Sequence, residues 1–120
     1  MAKVFLDTNI FIDIIKRNKD KYQMLVGNEI YVSPLSFHIA FYSLKVKTPN
    51  ISILKSLDNF SLVNLDEKIL KQALNSPTTD LEDNIQLHSA VKANCDIFLT
   101  NDKKLLKMVY FGKIKIVSEI

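Results

Sequence analysis

Residues 3–7, Lys-Val-Phe-Leu-Asp, form a short apolar run that ends on a carboxylate. The run reads as a buried strand. From Thr8 the period changes: Ile10, Phe11, Ile14 and Ile15 recur at helical spacing, with Asn9, Asp13 and Arg17 on another side. A further helix is predicted over 19–26, with Gly27 as its C-terminal stop. Residues 30–33 read as a second strand. Pro34 opens the next helix, where its missing N–H does no harm. Phe37, Ala40, Phe41 and Leu44 carry that helix towards Val46.

Pro49 and Asn50 punctuate the chain before a short helix over 51–57. A third strand is predicted over 60–65, then a helix over 67–74 that Ser76-Pro77 stops. The helix over 81–94 has its apolar positions at Leu81, Ile85, Leu87, Ala90 and Val91. A fourth strand over 96–100, a helix over 102–109 and a fifth strand over 113–117 complete the chain. Strands alternating with helices predict the α/β class, with a parallel sheet covered on both faces.

Composition bounds this picture. The 120 residues, 48% hydrophobic and 24% charged, suit a single domain spanning 1–120. The lone Cys95 excludes an internal disulfide and predicts a reduced, cytoplasmic setting, with the thiol buried and structural. Asp7 falls where the apolar stretch of a signal peptide would begin, so no leader is expected. No run approaches the ~18 apolar residues of a membrane span. Net charge is +3, with lysines grouped at 16–21 and 103–115. Such lysines ordinarily solvate a surface, and they are also compatible with a phosphate-bearing partner.

The candidate chemistry lies in three acids at element ends. Asp7 closes the first strand, Asp83 lies in the first turn of the helix over 81–94, and Asp102 follows the fourth strand. Each has a local use: Asp7 and Asp102 can cap helices, and Asp83 can favour a helix dipole. In an open α/β sheet, however, ligands bind beyond the carboxyl ends of the strands. If strands one and four are neighbours, Asp7 and Asp102 converge. Acids drawn together repel, and a divalent cation with hard oxygen ligands, such as Mg²⁺, removes that penalty.

Two blocks carry a family resemblance. "VFLDTNIFIDI" (4–14) resembles the opening of PIN-domain proteins, and "DNIQLHSAVKANCDIFLTNDKKL" (83–105) resembles their last third. In style the chain is most similar to VapC-type toxins of toxin–antitoxin pairs. The resemblance implies a three-layer α/β/α fold with a parallel sheet of about five strands in the order 3-2-1-4-5. It implies a Mg²⁺- or Mn²⁺-dependent endoribonuclease. The metal-binding and catalytic acids would be Asp7, Asp83 and Asp102, oriented by Asn9 and Thr100. Lys103 and Lys104 would touch the RNA backbone. An antitoxin partner and a homodimer are implied as well. The apolar bulk of "PLSFHIAFYSL" and "IFIDII" exceeds what one buried face needs and suits such a contact.

One position departs from the family pattern. PIN nucleases carry a glutamate on the helix after the second strand, where this chain reads "SPLSFHIAFYSL" (33–44), with no acid near His38 or Ile39. Three readings follow. Glu82 supplies the missing charge, or else belongs to a capping box over Thr79-Asp80-Leu81-Glu82. His38 is a ligand, or else a packed residue. Or the site is reduced to three acids, and the protein is a scaffold with weakened or lost nuclease activity that binds RNA or a protein. His88, five residues past Asp83, points away from that acid and is expected to pack. Two rivals fit less well. A haloacid-dehalogenase-type phosphotransferase needs an Asp where Asn9 stands, and a dinucleotide fold needs a GxGxxG that is absent.

Overall fold

The computed structural model describes residues 1–16, 23 and 25–120. Six strands form one sheet: β1 (Lys3–Leu6), β2 (Glu29–Val32), β3 (Ser61–Leu62), β4 (Ile97–Leu99), β5 (Tyr110–Phe111) and β6 (Ile114–Val117). Their order is β3-β2-β1-β4-β6-β5, all pairs parallel except β5 with β6. The described helices are α1 (Thr8–Ile15), α2 (Pro34–Leu44), α3 (Ile51–Ser56), α4 (Glu67–Asn75), α5 (Leu81–Lys92) and α6 (Lys103–Leu106).

The expected order 3-2-1-4-5 holds, with the predicted fifth strand appearing as β6. The sixth strand was not expected. The helix predicted to reach Val109 stops at Leu106, Val109 takes a positive φ of 64°, and the chain turns at Gly112 (φ 61°) into a hairpin. The third strand is also shorter than predicted. Only Ser61 and Leu62 pair as strand, at the sheet edge, although the Val63 N–H still reaches Val32 O at 3.1 Å. The helix predicted over 19–26 lies mostly outside the described residues; 25–27 already form a turn, ending at Gly27 with φ 87°.

Side-chain alternation along β1 divides the core. Val4 and Leu6 pack with Ile10, Phe11 and Ile14 of α1 and Ala40 of α2 on one face. Phe5 packs with Leu87 and Ala90 of α5 and Leu105 of α6 on the other. Phe5 and Phe98 are register partners, stacked at 5.7 Å. Both are fully buried, and each such side chain contributes about 1.5–3 kcal/mol through removal from water. The result is a sheet between two helical layers.

That packing fixes the ends of two neighbouring strands. The ladder between β1 and β4 continues one residue further, with Asp7 N–H on Leu99 O at 3.0 Å. Thr100 N–H in turn reaches Val117 O at 3.0 Å. Asp7 and Thr100 therefore leave adjacent parallel strands side by side, where the connections depart to opposite sides of the sheet. This is the crevice in which open α/β sheets bind ligands.

Candidate active site

Asp7 is the N-cap of α1, with its Oδ1 accepting from Thr8 N–H at 2.8 Å. Its other oxygen, Oδ2, accepts from the Thr100 hydroxyl at 2.6 Å. Thr100 Oγ1 also accepts from Asp102 N–H at 3.0 Å, so one hydroxyl ties the β1 acid to the turn that carries Asp102. Asp102 caps α6, its Oδ1 accepting from Lys104 N–H at 2.8 Å and Leu105 N–H at 3.4 Å. The capping uses expected for these acids thus do occur. They are compatible with a cation, because a carboxylate offers about four lone-pair sites and each cap occupies few of them.

The N-terminus of α5 brings the remaining acids. Its N-cap is Asp80, whose Oδ1 accepts from Asp83 N–H at 3.0 Å. This corrects the capping box read over Thr79 and Glu82: the cap lies one residue later, and the side chain bonding the Asp80 N–H is Thr78 Oγ1. Glu82 is left half-buried, and it is not the group that bonds the cap N–H.

Electrostatics shows which groups share the crevice. Asp7 is only 4% exposed, and burial lifts its pKa above the ordinary value; Thr100 and Thr8 oppose the rise, while Asp102 and Asp80 add to it. Asp83 is pushed up to about 7, first by burial, then by repulsion from Asp80, Asp7, Asp102 and Glu82. Glu82 is raised by burial and by Asp7 and Asp80, against a hydrogen-bonding contribution from Thr8. Each acid feels its neighbours as like charges, and among the described residues no cation appears in the groups acting on them. Five carboxyl groups from three elements therefore lie within electrostatic reach, and Asp7, Asp83 and Asp102 are among them.

A divalent ion fits the chemistry of this donor set, which is all hard oxygen and strongly anionic. The cage is not closed: among the described residues no three His, Cys, Asp or Glu side chains converge tightly enough to grip an ion unaided. Asp7, Asp83, Asp102 and Glu82 are the residues that could hold one, with water completing the shell, as Mg²⁺ commonly keeps several waters.

The other predicted residues are placed as follows. Asn9 is exposed on the first turn of α1, next to Asp7. Lys103 and Lys104 are exposed on α6, directly after Asp102. His38 is exposed on α2 beside Phe37 and Phe41, on a different helix side from the buried Ser36 and Ala40. His88 packs edge-on against Phe111 and bonds Ser76 O through Nε2 at 3.0 Å. Cys95 is buried, and burial pushes its thiol up to about 12.

Sequence reasoning missed a polar set beneath the acids. Thr8, Ser36 and Gln86 are all buried: the Gln86 amide Nε2 donates to both hydroxyls, which are 2.9 Å apart. The signal was available in part. Glu82, Gln86 and Ala90 recur at four-residue spacing, so a polar residue sits on an inward stripe of α5. The apolar positions read for α5 need a matching correction: Leu81 and Val91 are substantially exposed, while Asn84, Gln86 and Ser89 are buried.

Comparison with known proteins agrees with this fold. The family model described as PIN domain matches residues 3–104. The chain belongs to the PIN domain family. Among solved structures, this PIN domain resembles a toxin–antitoxin complex from Klebsiella pneumoniae, with TM-score 0.74, 19% identity, and coverage of 98% of this chain and 99% of that one. It also resembles VapBC2 from Rickettsia felis, solved bound to a promoter DNA fragment, with TM-score 0.67, 16% identity, and coverage of 96% and 97%. At these identities the likeness concerns the fold. No curated protein matches the sequence. Among the described residues, no helix is long and apolar enough to cross a membrane.

Proposed function

We propose that this PIN domain is a divalent-metal-dependent endoribonuclease, acting in the cytoplasm as the toxin of a toxin–antitoxin pair. The observation that carries the reading is the pool of mutually repelling acids at the carboxyl ends of β1 and β4, with Asp83 pushed up to about 7. Like charges gathered this way are unfavourable without a counter-charge, and a functional cation is the economical account of their presence. The metal ligands in this reading are Asp7, Asp83 and Asp102.

When bound, Mg²⁺ or Mn²⁺ supplies an activated water and neutralises charge on the phosphodiester. The chain's own residues prepare the place. Thr100 holds Asp7 Oδ2 and the Asp102 N–H from one hydroxyl, fixing the spacing of two acids. Asn9, exposed beside Asp7, would orient water in this reading. Lys103 and Lys104, exposed after Asp102, would receive an RNA backbone in this reading. Burial of Asp7 keeps its carboxylate away from bulk solvent.

Both neighbouring structures come from toxin–antitoxin assemblies, which supports an antitoxin partner here. An apolar groove of about 290 Å³, lined by Phe37, Phe41, Ile51, Ile53, Leu54 and Leu57 among others, offers a surface for that partner or for a second copy of the chain. A second reading, a PIN scaffold that binds RNA or protein without cutting, is favoured by the open ligand cage among the described residues and by the lack of an acid near His38 or Ile39, where the family has one.

Cleavage of a mixed RNA substrate in Mn²⁺ separates the two. The wild-type chain is expected to cut, and Asp7→Asn to lose at least about a hundredfold in rate, in line with loss of a metal ligand. Equal cleavage by Asp7→Asn rejects the site. RNA binding by a chain that never cuts favours the scaffold.

A further inference from the structure

Gln86 is fully buried on α5, with its amide turned into the protein. Its Nε2 donates to Thr8 Oγ1 on α1 and to Ser36 Oγ on α2, the second at 3.2 Å. The two hydroxyls lie 2.9 Å apart, so three side chains from three helices close a triangle. Thr8 and Ser36 are buried as well.

Glutamine is a costly choice at this place. Its Oε1 is buried and has no hydrogen-bond partner among the described residues. A buried acceptor left unpaired is unfavourable, and such groups call for a reason. An unbranched apolar side chain of similar size, such as methionine, would fill the position without that cost. Packing alone therefore does not account for Gln86.

Hydrogen bonds lead from the triangle to the strand ends without a break. The Thr8 N–H donates to Asp7 Oδ1 at 2.8 Å. Asp7 Oδ2 accepts from the Thr100 hydroxyl at 2.6 Å, and Thr100 Oγ1 accepts from Asp102 N–H at 3.0 Å. Thr8 is the first residue of α1, so its N–H has no partner within the helix. Helix ends of this kind open most readily. Holding the Thr8 side chain from α2 and α5 steadies that first turn, and with it the N–H that grips Asp7.

We propose that Gln86 and Ser36 clamp Thr8 at the start of α1 and so fix the orientation of the Asp7 carboxylate at the end of β1. Gln86, Ser36 and Thr8 are positioning residues that act through Asp7. The consequence for metal binding rests on the nuclease reading above; the clamp itself rests on the hydrogen bonds.

Amide hydrogen exchange of the metal-free full chain, followed residue by residue by nuclear magnetic resonance, tests the clamp directly. In Gln86→Met, the Thr8 amide is expected to exchange about tenfold faster than in wild type, the scale of one net hydrogen bond. The Ile69 amide, which donates to its own helix cap Asp66 at 2.8 Å, is the control and is expected to keep its rate. Mn²⁺ affinity, read by electron paramagnetic resonance, is expected to fall about tenfold in the same variant, the scale found when a supporting partner of a metal ligand is removed. A merely structural Gln86 would speed exchange at Thr8 and Ile69 alike, and that result overturns the proposal. A wild-type rate at Thr8 overturns it too. So does faster Thr8 exchange with wild-type Mn²⁺ affinity, because Asp7 would then keep its orientation unaided. If Gln86→Met does not fold, Ser36→Ala removes another corner of the triangle and carries the same expectations. A wild-type chain that binds no Mn²⁺ sinks the nuclease reading by itself, and the exchange rates of Thr8 and Ile69 then decide the clamp.

Discussion

Asp83 shows how one residue reports on a whole crevice. Its carboxyl is pushed up to about 7 by burial and by four neighbouring acids. A folded-state pKa above the unfolded value means that the native chain holds a proton the unfolded chain has released. The associated stability is fully present below the ordinary value of 3.8 and is lost as pH rises towards about 7. The metal-free protein is therefore expected to lose stability from pH 5 to pH 8, read as a falling urea midpoint in the presence of a chelator. Asp83→Asn should flatten that slope, and an unchanged slope would remove Asp83 as its source. At this scale the sequence was informative about the acids and silent about their support. Asp7, Asp83 and Asp102 end strands or open helices, which is visible in one dimension. The contacts of Thr8 with Ser36 and Gln86 span 28 and 78 positions, and no local pattern announces them.

The N-terminus of α5 serves two purposes that pull apart. Asp80 caps the helix by accepting from Asp83 N–H, and the same carboxylate repels Asp83. Asparagine caps a helix about as well as aspartate, so substitution separates the two effects. In metal-free protein at pH 8, Asp80→Asn is expected to be at least as stable as wild type. Asp80→Ala, equal in charge to Asp80→Asn but without the cap, should fall about 1 kcal/mol below it. Chemical denaturation of the three proteins decides; equal stability of the Asn and Ala variants would show that the cap contributes nothing. Elements with strong periodicity or clear punctuation were legible beforehand. Examples are α1 with Ile10, Phe11 and Ile14, and α2 with Pro34 at its start; Ser33, read as the end of the second strand, is instead the cap of α2. The hairpin after α6 was not, because Val109 adopts a left-handed backbone that a β-branched residue rarely takes. The edge strand β3 was overestimated for a different reason. Its apolar residues divide between a buried Val63 and the exposed Leu62 and Leu65, so composition overstated the pairing.

At the scale of the whole molecule, the acids gathered at the strand ends stand out against the chain's net charge. The chain carries a net +3, yet its strand ends gather carboxylates with no cation from the described residues among the groups acting on them. Lys103 and Lys104 stand at the rim, where a polyanion held by basic side chains would meet an acidic floor made habitable by a divalent ion. The sheet order that brings β1 beside β4 makes this possible, and the alternation of strands and helices pointed to a parallel sheet before that order was known. The most direct measurement is anomalous diffraction from crystals soaked in Mn²⁺. The account predicts a peak in contact with Asp7 and with Asp83 or Asp102. Soaked crystals that show Mn²⁺ elsewhere, with nothing between those side chains, would contradict it.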